Sequence, residues 1–527
     1  MSINRSLVHV GCLALLSVGL AGPGVSYFEE DLPTTLNPLY ARSMVDRRTQ
    51  ELIFDRLFFR SLGENRLVSN LVKEFQTSED RKAITLYLRE GITWHDEELF
   101  TADDVCFTIN AMLNPKTPSP EAREFRESIA GCDANAKRNE VTVRFKRPHI
   151  RPREQLGFAV LPEHVFGGNT AIPPQHGFSS RPVGTGPMKG GLGRKELKLQ
   201  RVQNAHHKPS IRELSLLEGG DPESQVKTLF NRGVQGMVTV PPSRRPVIAS
   251  QDDVALKSYD LRSWWFIAVN TNRGPLKDLR VRQALNLTLD REELVTLSIG
   301  AQDGDISPAH ELISGPFIPS SPYYNRQVPV QATDDLGRAA ELMKEAGYKN
   351  LAGRWVKGDK PVKLNIGMYS PLGAEAQDLH NQVGNQLAAG GFERTVTLVQ
   401  RDQWNSRVVT GADVAQWDLL IGKWSFGVSE EIQPLFHSRE ASRGALNIFG
   451  YDNSDVDDLL LKFERARTDT EAKNIYHELH ATLAEDLPYL FLWKLDTKSA
   501  WANEVRDANI APYYYFTAFD SWHIASK

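Results

Sequence analysis

Strand-like and helix-like hydrophobic patterns alternate along almost the whole chain, and this alternation limits the possible fold more than any other feature. Residues 84–89 alternate apolar and polar side chains, as a half-buried strand does. Residues 101–104 read Thr-Ala-Asp-Asp, a capping box that predicts the start of a helix. Residues 336–346 carry an apolar stripe at helical spacing, and Gly347 follows as a C-cap. The mixture of strands and helices throughout the chain indicates an α/β fold.

The chain is too long for a single hydrophobic core. At 527 residues it exceeds the size at which one core keeps growing, so we expect two or more domains. No short repeat, low-complexity tract or obvious linker separates them. That pattern fits lobes joined by strands that cross between them. The formal net charge of -4 provides no basic field, which excludes any preference for nucleic acid.

The first residues have the pattern of a secretory signal. Arg5 precedes an apolar run over residues 7–21, and small residues follow, so we predict a signal peptide over 1–21. The run is too short and too early for a membrane span. We therefore expect an exported, soluble, periplasmic protein. Cys12 lies inside the apolar run instead of at its end, so lipid anchoring is not expected.

The mature chain keeps two cysteines, Cys106 and Cys132. An even pair in an exported protein is a candidate disulfide. Two reduced, buried thiols are the alternative, and the sequence leaves both open. No CxxC motif or Cys/His cluster predicts a metal site, and we expect no cofactor.

The sequence contains no catalytic signature, and we predict that the protein is not an enzyme. The GxSxG, P-loop and HExxH motifs are all missing from it. His477, Glu478 and His480 fall on a predicted helix, where a solvated face is the preferred interpretation. His206 and His207 are predicted to lie on a loop surface.

Several short phrases follow one another in a fixed order along the chain. They are Thr35-Leu36-Asn37-Pro38, Trp94-His95-Asp96, Phe100-Thr101-Ala102, Pro182-Val183-Gly184-Thr185-Gly186-Pro187 and Asn270-Thr271-Asn272. Together they resemble the family 5 extracellular solute-binding proteins, which include the periplasmic oligopeptide- and dipeptide-binding proteins of ABC importers. We interpret the phrases as scaffold, with Trp94 in the core and Gly184 and Gly186 in tight turns.

The resemblance implies a two-lobed periplasmic binding protein fold of type II, in the large class with an extra subdomain. Lobe 1 would comprise residues 22–44, 178–262 and 497–527, and the extra subdomain would comprise 45–177. Lobe 2 would comprise 263–496. Two crossing strands, near Trp264 and Trp493, would join the lobes.

The resemblance also implies where the ligand binds. Arg42, Ser43 and Met44 of lobe 1 would face Lys423, Trp424 and Ser425 of lobe 2, and their backbones would pair with the ligand as with an added strand. Trp404, Trp424 and Trp264 would be aromatic residues near the ligand. Core packing is the alternative for each tryptophan.

The sequence departs from the peptide-binding pattern at one position. Peptide binders of the family carry an Asp there that pairs with the ligand's α-ammonium group, and this chain has Gly427. An unpaired ligand cation is costly to bury. Either Glu430 or Glu431 replaces the missing acid, or the ligand is not a peptide with a free amine.

The expected function is capture of a small ligand, preferentially a peptide, by closure of the lobes, and its delivery to an ABC importer permease. We expect a monomer. The alternatives are a binder of a nickel complex, sugar or opine, and a sensory or chaperone-like binder. A secreted hydrolase is less favoured.

Overall fold

The computed structural model describes thirteen stretches of the chain, and all structural statements below refer to them. They are residues 24–62, 66–119, 122–149, 151–202, 206–259, 262–299, 310–369, 378–399, 416–426, 430–439, 447–495, 497–510 and 514–525. The predicted signal peptide with Cys12, and the predicted ligand-binding residues Trp404 and Gly427, lie outside these stretches.

The strands and helices alternate, as the sequence predicts. The strands are β1 (Val25–Glu29), β2 (Phe59–Arg60), β3 (Leu67–Val68), β4 (Val72–Thr77), β5 (Ala83–Leu88), β6 (Ile129–Asn135), β7 (Glu140–Phe145), β8 (Met188–Gly190), β9 (Glu196–Arg201), β10 (Glu213–Glu218), β11 (Gly236–Met237), β12 (Val254–Tyr259), β13 (Ser263–Val269), β14 (His310–Leu312), β15 (Lys349–Leu351), β16 (Arg354–Lys357), β17 (Lys360–Pro361), β18 (Lys363–Tyr369), β19 (Glu393–Val399), β20 (Leu419–Ser425), β21 (Tyr489–Phe491), β22 (Trp493–Leu495), β23 (Thr497–Ala502), β24 (Val505–Arg506) and β25 (His523–Ile524). The helices are α1 (Met44–Ile53), α2 (Ala102–Leu113), α3 (Ala122–Ser128), α4 (Pro152–Gln155), α5 (Glu163–Phe166), α6 (Pro222–Phe230), α7 (Arg245–Ala249), α8 (Leu279–Thr288), α9 (Arg291–Ile299), α10 (Leu336–Glu345), α11 (Leu379–Ala389), α12 (Gln433–Phe436), α13 (Ser454–Arg465) and α14 (Asp469–Asp486).

The first large sheet gathers segments that are distant in sequence. Its strand order is β12-β23-β11-β1-β10-β9-β8. Strand β1 pairs in parallel with both β10 and β11, and β23 from near the C-terminus pairs antiparallel with β11 and β12. Its core continues into the region of β4–β7, so the two regions share one hydrophobic core.

The second large sheet has the order β19-β18-β20-β13-β21. Every residue of β13 is buried, because helices cover both faces of the sheet. Trp265 and Ile267 belong to the core on one face, whereas Trp264 and Phe266 belong to the core on the other. This alternation is the two-residue period of a strand, and it places adjacent tryptophans in different cores.

The chain passes between the two sheets twice, at neighbouring positions. Tyr259 ends β12 in the first sheet, and Ser263 begins β13 in the second. The return passage runs from Leu495 to Thr497, and Thr497 pairs with Tyr259. The ends of both connections lie side by side, which is the arrangement expected of two lobes that close about a hinge.

The Trp-His-Asp and Gly-Thr-Gly phrases lie against each other. The His95 amide donates to the Gly184 carbonyl at 2.9 Å, and Trp94 is buried. A Cβ atom at Gly184 would overlap the carbonyl oxygen of Ile53, and one at Gly186 would lie 2.6 Å from the Ile53 carbonyl carbon. The two glycines are therefore required by the close approach of the loop to the end of α1, and not only by a turn.

The interpretation of His480 as part of a solvated helix face is wrong. Its side chain is fully buried, packs on Gly315 and lies 3.0 Å from the Ser314 hydroxyl. Burial lowers the pKa of His480 to about 3, which keeps the imidazole neutral. His477, three residues earlier, is the exposed member of the pair.

Helix α2 covers the four-stranded antiparallel sheet β4-β5-β7-β6, and a disulfide joins them. Of the two alternatives for the cysteines, the structure has the bonded one, with Cys106 in α2 linked to Cys132 in β6. Their Cα atoms lie 5.5 Å apart, which suits an unstrained bridge.

Replacing both Cys106 and Cys132 by alanine should lower the free energy of unfolding by about 3 kcal/mol, because the bridge closes a loop spanning 26 residues. Urea denaturation of the oxidised protein and of the variant measures the difference. A reductant should destabilise the native protein and leave the variant unchanged. Equal stability of the oxidised native protein and the alanine variant would contradict the prediction.

Candidate functional site

The end of β20 extends past one of its two neighbours. Among the described residues, pairing with β18, which is described up to Tyr369, reaches Ile421, whereas pairing with β13 continues to Ser425. In an antiparallel pair, alternate residues direct their N–H and C=O groups away from the partner strand. The stretch Lys423–Ser425 pairs there with β13 alone, so its other main-chain groups have no partner strand within the described stretches.

The predicted ligand-binding residues of lobe 2 occupy this edge. Lys423 and Trp424 are half-buried, and Ser425 is exposed. The Lys423 ammonium lies 5.8 Å from the centre of the Trp265 ring, a cation–π contact. The Trp424 indole N–H is buried and has no hydrogen-bond acceptor among the described residues.

Trp264 was expected near the ligand, and the structure instead places it in the core. Its side chain is fully buried, and its ring centre lies 5.1 Å from that of Phe266 and 5.5 Å from that of Phe491. The reason is the period of β13, which turns Trp264 toward an aromatic cluster that already fills this face.

Ser43 of lobe 1 is the N-cap of α1. Its hydroxyl accepts a hydrogen bond from the Asp46 amide at 3.0 Å, and the Asp46 carboxylate in turn accepts from the Ser43 amide at 3.1 Å. The Asp46 carboxylate also accepts from the amides of Thr34 and Arg42, at 2.7 and 3.0 Å. One buried carboxylate thus holds together the turn that precedes the helix.

This turn changes the expectation for Arg42, Ser43 and Met44. The amides of Arg42 and Ser43 already donate to Asp46, and the Ser43 carbonyl accepts from the Arg47 amide at 3.2 Å. Those groups are not available to pair with a ligand strand. The signal that was missed is Ser-x-x-Asp at 43–46, a capping box that is visible in the sequence.

Glu430 is held in a buried ion pair. Its carboxylate contacts the Arg262 guanidinium and accepts a hydrogen bond from the Ser321 hydroxyl, and all three side chains are buried. Arg262 lies immediately before β13, so the pair stands at the hinge. A carboxylate neutralised in this way does not offer its charge to a ligand. Of the alternatives for the acid missing at 427, Glu431 and a ligand without a free amine stay as predictions.

Charged groups of the region 45–177 meet lobe 2 close to this pair. Arg151 lies 3.3 Å from the Asp469 carboxylate, and its guanidinium lies 5.1 Å from the centre of the Tyr323 ring. Arg147 lies 3.3 Å from Glu464. Each ion pair at the surface contributes little free energy. Such weak pairs suit a contact between lobes that forms and breaks.

Glu154 reports the same proximity of the lobes. Burial raises the pKa of the Glu154 carboxyl, the cations Arg151 and Arg60 oppose that rise, and the nearby charges of Asp469 and Glu430 reinforce it. Arg60 holds the carboxylate at 2.8 Å. The carboxylates of Asp469 and Glu430 belong to lobe 2, so acidic groups of both lobes face one another here.

The profile described as "Bacterial extracellular solute-binding proteins, family 5 Middle" matches residues 66–443, well over half of the chain. The chain belongs to family 5 of the bacterial extracellular solute-binding proteins. The resemblance found in the sequence is thereby confirmed, and members of this family act outside the cytoplasm.

The relatives match over almost their full lengths. Protein XP55 of Streptomyces lividans is 27% identical over 473 residues, which are 88% of this chain and 82% of the relative. The oligopeptide-binding protein AppA of Bacillus subtilis is 22% identical over 510 residues, which are 94% of this chain and 90% of the relative.

The solved structures extend the comparison to the fold. The structure of AppA from Bacillus subtilis in complex with a nonapeptide has a TM-score of 0.82 at 20% identity and covers 96% of this chain and 99% of its own. NikZ from Campylobacter jejuni in complex with Ni(L-His) has a TM-score of 0.79 at 20% identity, with coverage of 95% and 99%. The predicted type II binding-protein fold is confirmed.

Replacing Glu430 by glutamine should destabilise the protein by about 3 kcal/mol, because the Arg262 guanidinium then loses its buried carboxylate. Replacing both Arg262 and Glu430 by glutamine should restore much of the loss. Thermal and urea denaturation measure both effects. Weaker ligand binding by Glu430→Gln at unchanged stability would instead make Glu430 a ligand-contacting residue.

Proposed function

We propose that this protein captures a small solute, preferentially a peptide, outside the cytoplasm and delivers it to the permease of an ABC importer. The observation that carries the proposal is the end of β20, which pairs with β13 and, among the described residues, has no second partner strand from Lys423 to Ser425. A peptide added along Gly422–Ser425 would satisfy main-chain groups irrespective of its side chains, which permits broad specificity. The similarity to AppA, solved with a nonapeptide, supports this ligand class.

Trp424 is the side chain best suited to contact such a ligand. Its buried indole N–H has no acceptor among the described residues, and an unsatisfied buried donor costs free energy. A carbonyl of the ligand would relieve that cost, while the ring packs on the ligand backbone. Trp404 and Met44 stay in the proposal as further contacts, together with the exposed Arg42 side chain.

Binding would close the lobes about the hinge at 259–263 and 495–497. Only the closed form makes ligand contacts from both lobes, so ligand raises its population. The importer would recognise that form, and the ligand would be released chemically unchanged. The protein would act as a monomer, without a cofactor and without catalysing a reaction.

The ion pair of Glu430 favours a second candidate class of ligand. Because Arg262 neutralises this carboxylate, the ammonium group of a peptide with a free amine would be buried without a carboxylate partner. A ligand without an α-ammonium group would lose less binding free energy. Peptides with a blocked N-terminus and non-peptide solutes fall in this class. Affinities for matched free and N-acetylated peptides would decide between the classes.

The proposed location is the periplasm, with export directed by the predicted signal peptide over 1–21. Within the described residues, no helix combines the length and the apolar character needed to span a bilayer. Native mass spectrometry of protein purified from its own host would test the whole proposal, since a captured ligand should be retained. A bound solute that is hydrolysed on incubation would contradict it.

Replacing Trp424 by alanine should weaken binding of the retained ligand by about 30-fold, the usual effect of losing a central aromatic anchor. Trp424→Phe keeps the ring and loses the N–H, so its affinity should be intermediate. Leu351→Ala, on an exposed hairpin of lobe 2, is the control and should bind like the native protein. Calorimetric titration measures all four. Equal affinity for Trp424→Ala and the control would exclude Trp424 from the site.

Replacing Arg151 by alanine should shift the lobes toward the open form, because it removes the contacts with Asp469 and Tyr323. We expect ligand affinity to fall about threefold, equivalent to roughly 0.6 kcal/mol. Small-angle scattering should show a larger radius of gyration at subsaturating ligand. Arg138→Ala is the matched control, since within the described stretches Arg138 forms an ion pair with Glu140 of its own hairpin and none with lobe 2. Identical scattering for both variants would exclude Arg151 from closure.

A further inference from the structure

Two histidines and a carboxylate converge at the far end of α1. Asp55 follows that helix, and His206 and His207 follow β9. The Nε2 atoms of His206 and His207 lie 3.0 and 2.9 Å from the two oxygens of the Asp55 carboxylate. The expectation that both histidines lie on a loop surface holds for the partly exposed His206 and is wrong for His207, whose side chain is mostly covered.

We propose that Asp55, His206 and His207 form a binding site for a divalent transition-metal ion such as Zn²⁺. The three donor atoms lie within 4.8 Å of one another, and among the described residues this is the group of three that meets that condition. Around zinc, with bonds of about 2.0–2.1 Å, tetrahedral ligand atoms lie about 3.3 Å apart. The two distances between a histidine nitrogen and an Asp55 oxygen, 3.0 and 2.9 Å, are within a few tenths of an ångström of that spacing.

The surrounding groups hold the donors in a metal-binding orientation. The Asp520 carboxylate lies 2.6 Å from Nδ1 of His207 and accepts from it, and an ion would take the place of the proton through which Nε2 contacts Asp55 at 2.9 Å. The Asp55 carboxylate accepts from the Thr185 hydroxyl and the Asn70 amide, each at 2.9 Å. These contacts fix the ring and the carboxylate before an ion arrives.

Charge and access also suit a divalent cation. Asp55 and Asp520 together carry two negative charges, which one divalent ion balances. The Asp55 side chain is buried, whereas that of His206 is 22% exposed, so the site has a solvent-facing side. Three protein ligands with one open position is the arrangement of an accessible zinc site.

The site is separate from the proposed ligand cleft. Helix α1 has 10 residues and spans about 15 Å, with Ser43 at one end and Asp55 beyond the other. Metal binding and solute binding can therefore be measured independently, and either proposal can fail alone.

The test is a titration of the full mature protein, freed of metal with a chelator, by Zn²⁺ in competition with a chromophoric chelator. We expect one tight equivalent for the native protein and none for His206→Ala or His207→Ala. Asp520→Asn, which alters the positioning of His207, should weaken binding about 10- to 100-fold. Replacement by Co²⁺ should give the visible bands of a tetrahedral site.

His164→Ala is the control, because His164 lies 2.9 Å from Asp96 in a simple pair without a third donor. It should bind Zn²⁺ like the native protein. Should His207→Ala fail to fold, the result for His206→Ala tests the proposal. The His206 ring is more exposed than the His207 ring, so its loss should disturb the fold less. Zinc affinity that is unchanged in His206→Ala, or no binding by the native protein, overturns the proposal.

Discussion

The pairing of β13 with β20 is the interaction on which the rest of the structure depends. It runs from Ser263 opposite Ser425 to Val269 opposite Leu419, and β13 is buried along its whole length. Because both faces of this strand are covered, a shift of one residue would move every side chain into the wrong core. The same register pairs Lys423–Ser425 with β13, past the last pair that β20 makes with the described part of β18. Strand β13 also begins beside the connection between the two sheets. The packing of lobe 2, the proposed closure and the proposed ligand-binding edge therefore all depend on the pairing of β13 with β20.

Buried charges near the proposed cleft serve the scaffold. Asp46 gathers the amides of the turn before α1, and Glu430 neutralises Arg262 beside the hinge. Each is a buried ionised group with charged or hydrogen-bonding partners, as such groups must be. Neither carboxylate is then free to select a ligand by its charge, which suits a binder of broad specificity that uses main chain and aromatic surface.

Local structure was predictable from the sequence because it depends on local patterns. The capping box at 101–104 precedes a helix that begins at Ala102, and the stripe predicted over 336–346 is the helix Leu336–Glu345. The strand predicted at 84–89 is Ala83–Leu88. The single crossing strand expected near Trp493 is divided into β21 and β22, which pair with different partners.

The polar contacts were not predictable in the same way. Glu430 and Arg262 are 168 residues apart, and His207 and Asp55 are 152 apart. No periodicity relates such residues, since the tertiary fold alone brings them together. For His480 the predicted helix was right and the predicted exposure was wrong. A helical pattern places a residue on a helix but does not tell which other segment packs against it. The capping box at Ser43 and Asp46 is a local pattern that could have been predicted from the sequence. It would also have shown that the amides near Ser43 are used within the turn.

The most direct test of the central claim is a crystal structure of the protein with the ligand that it retains from its host. The account predicts a ligand enclosed between the lobes, with main-chain hydrogen bonds to Gly422–Ser425 and contact with the Trp424 ring. A ligand that lies elsewhere, or one that leaves the β20 edge in contact with solvent, would contradict it.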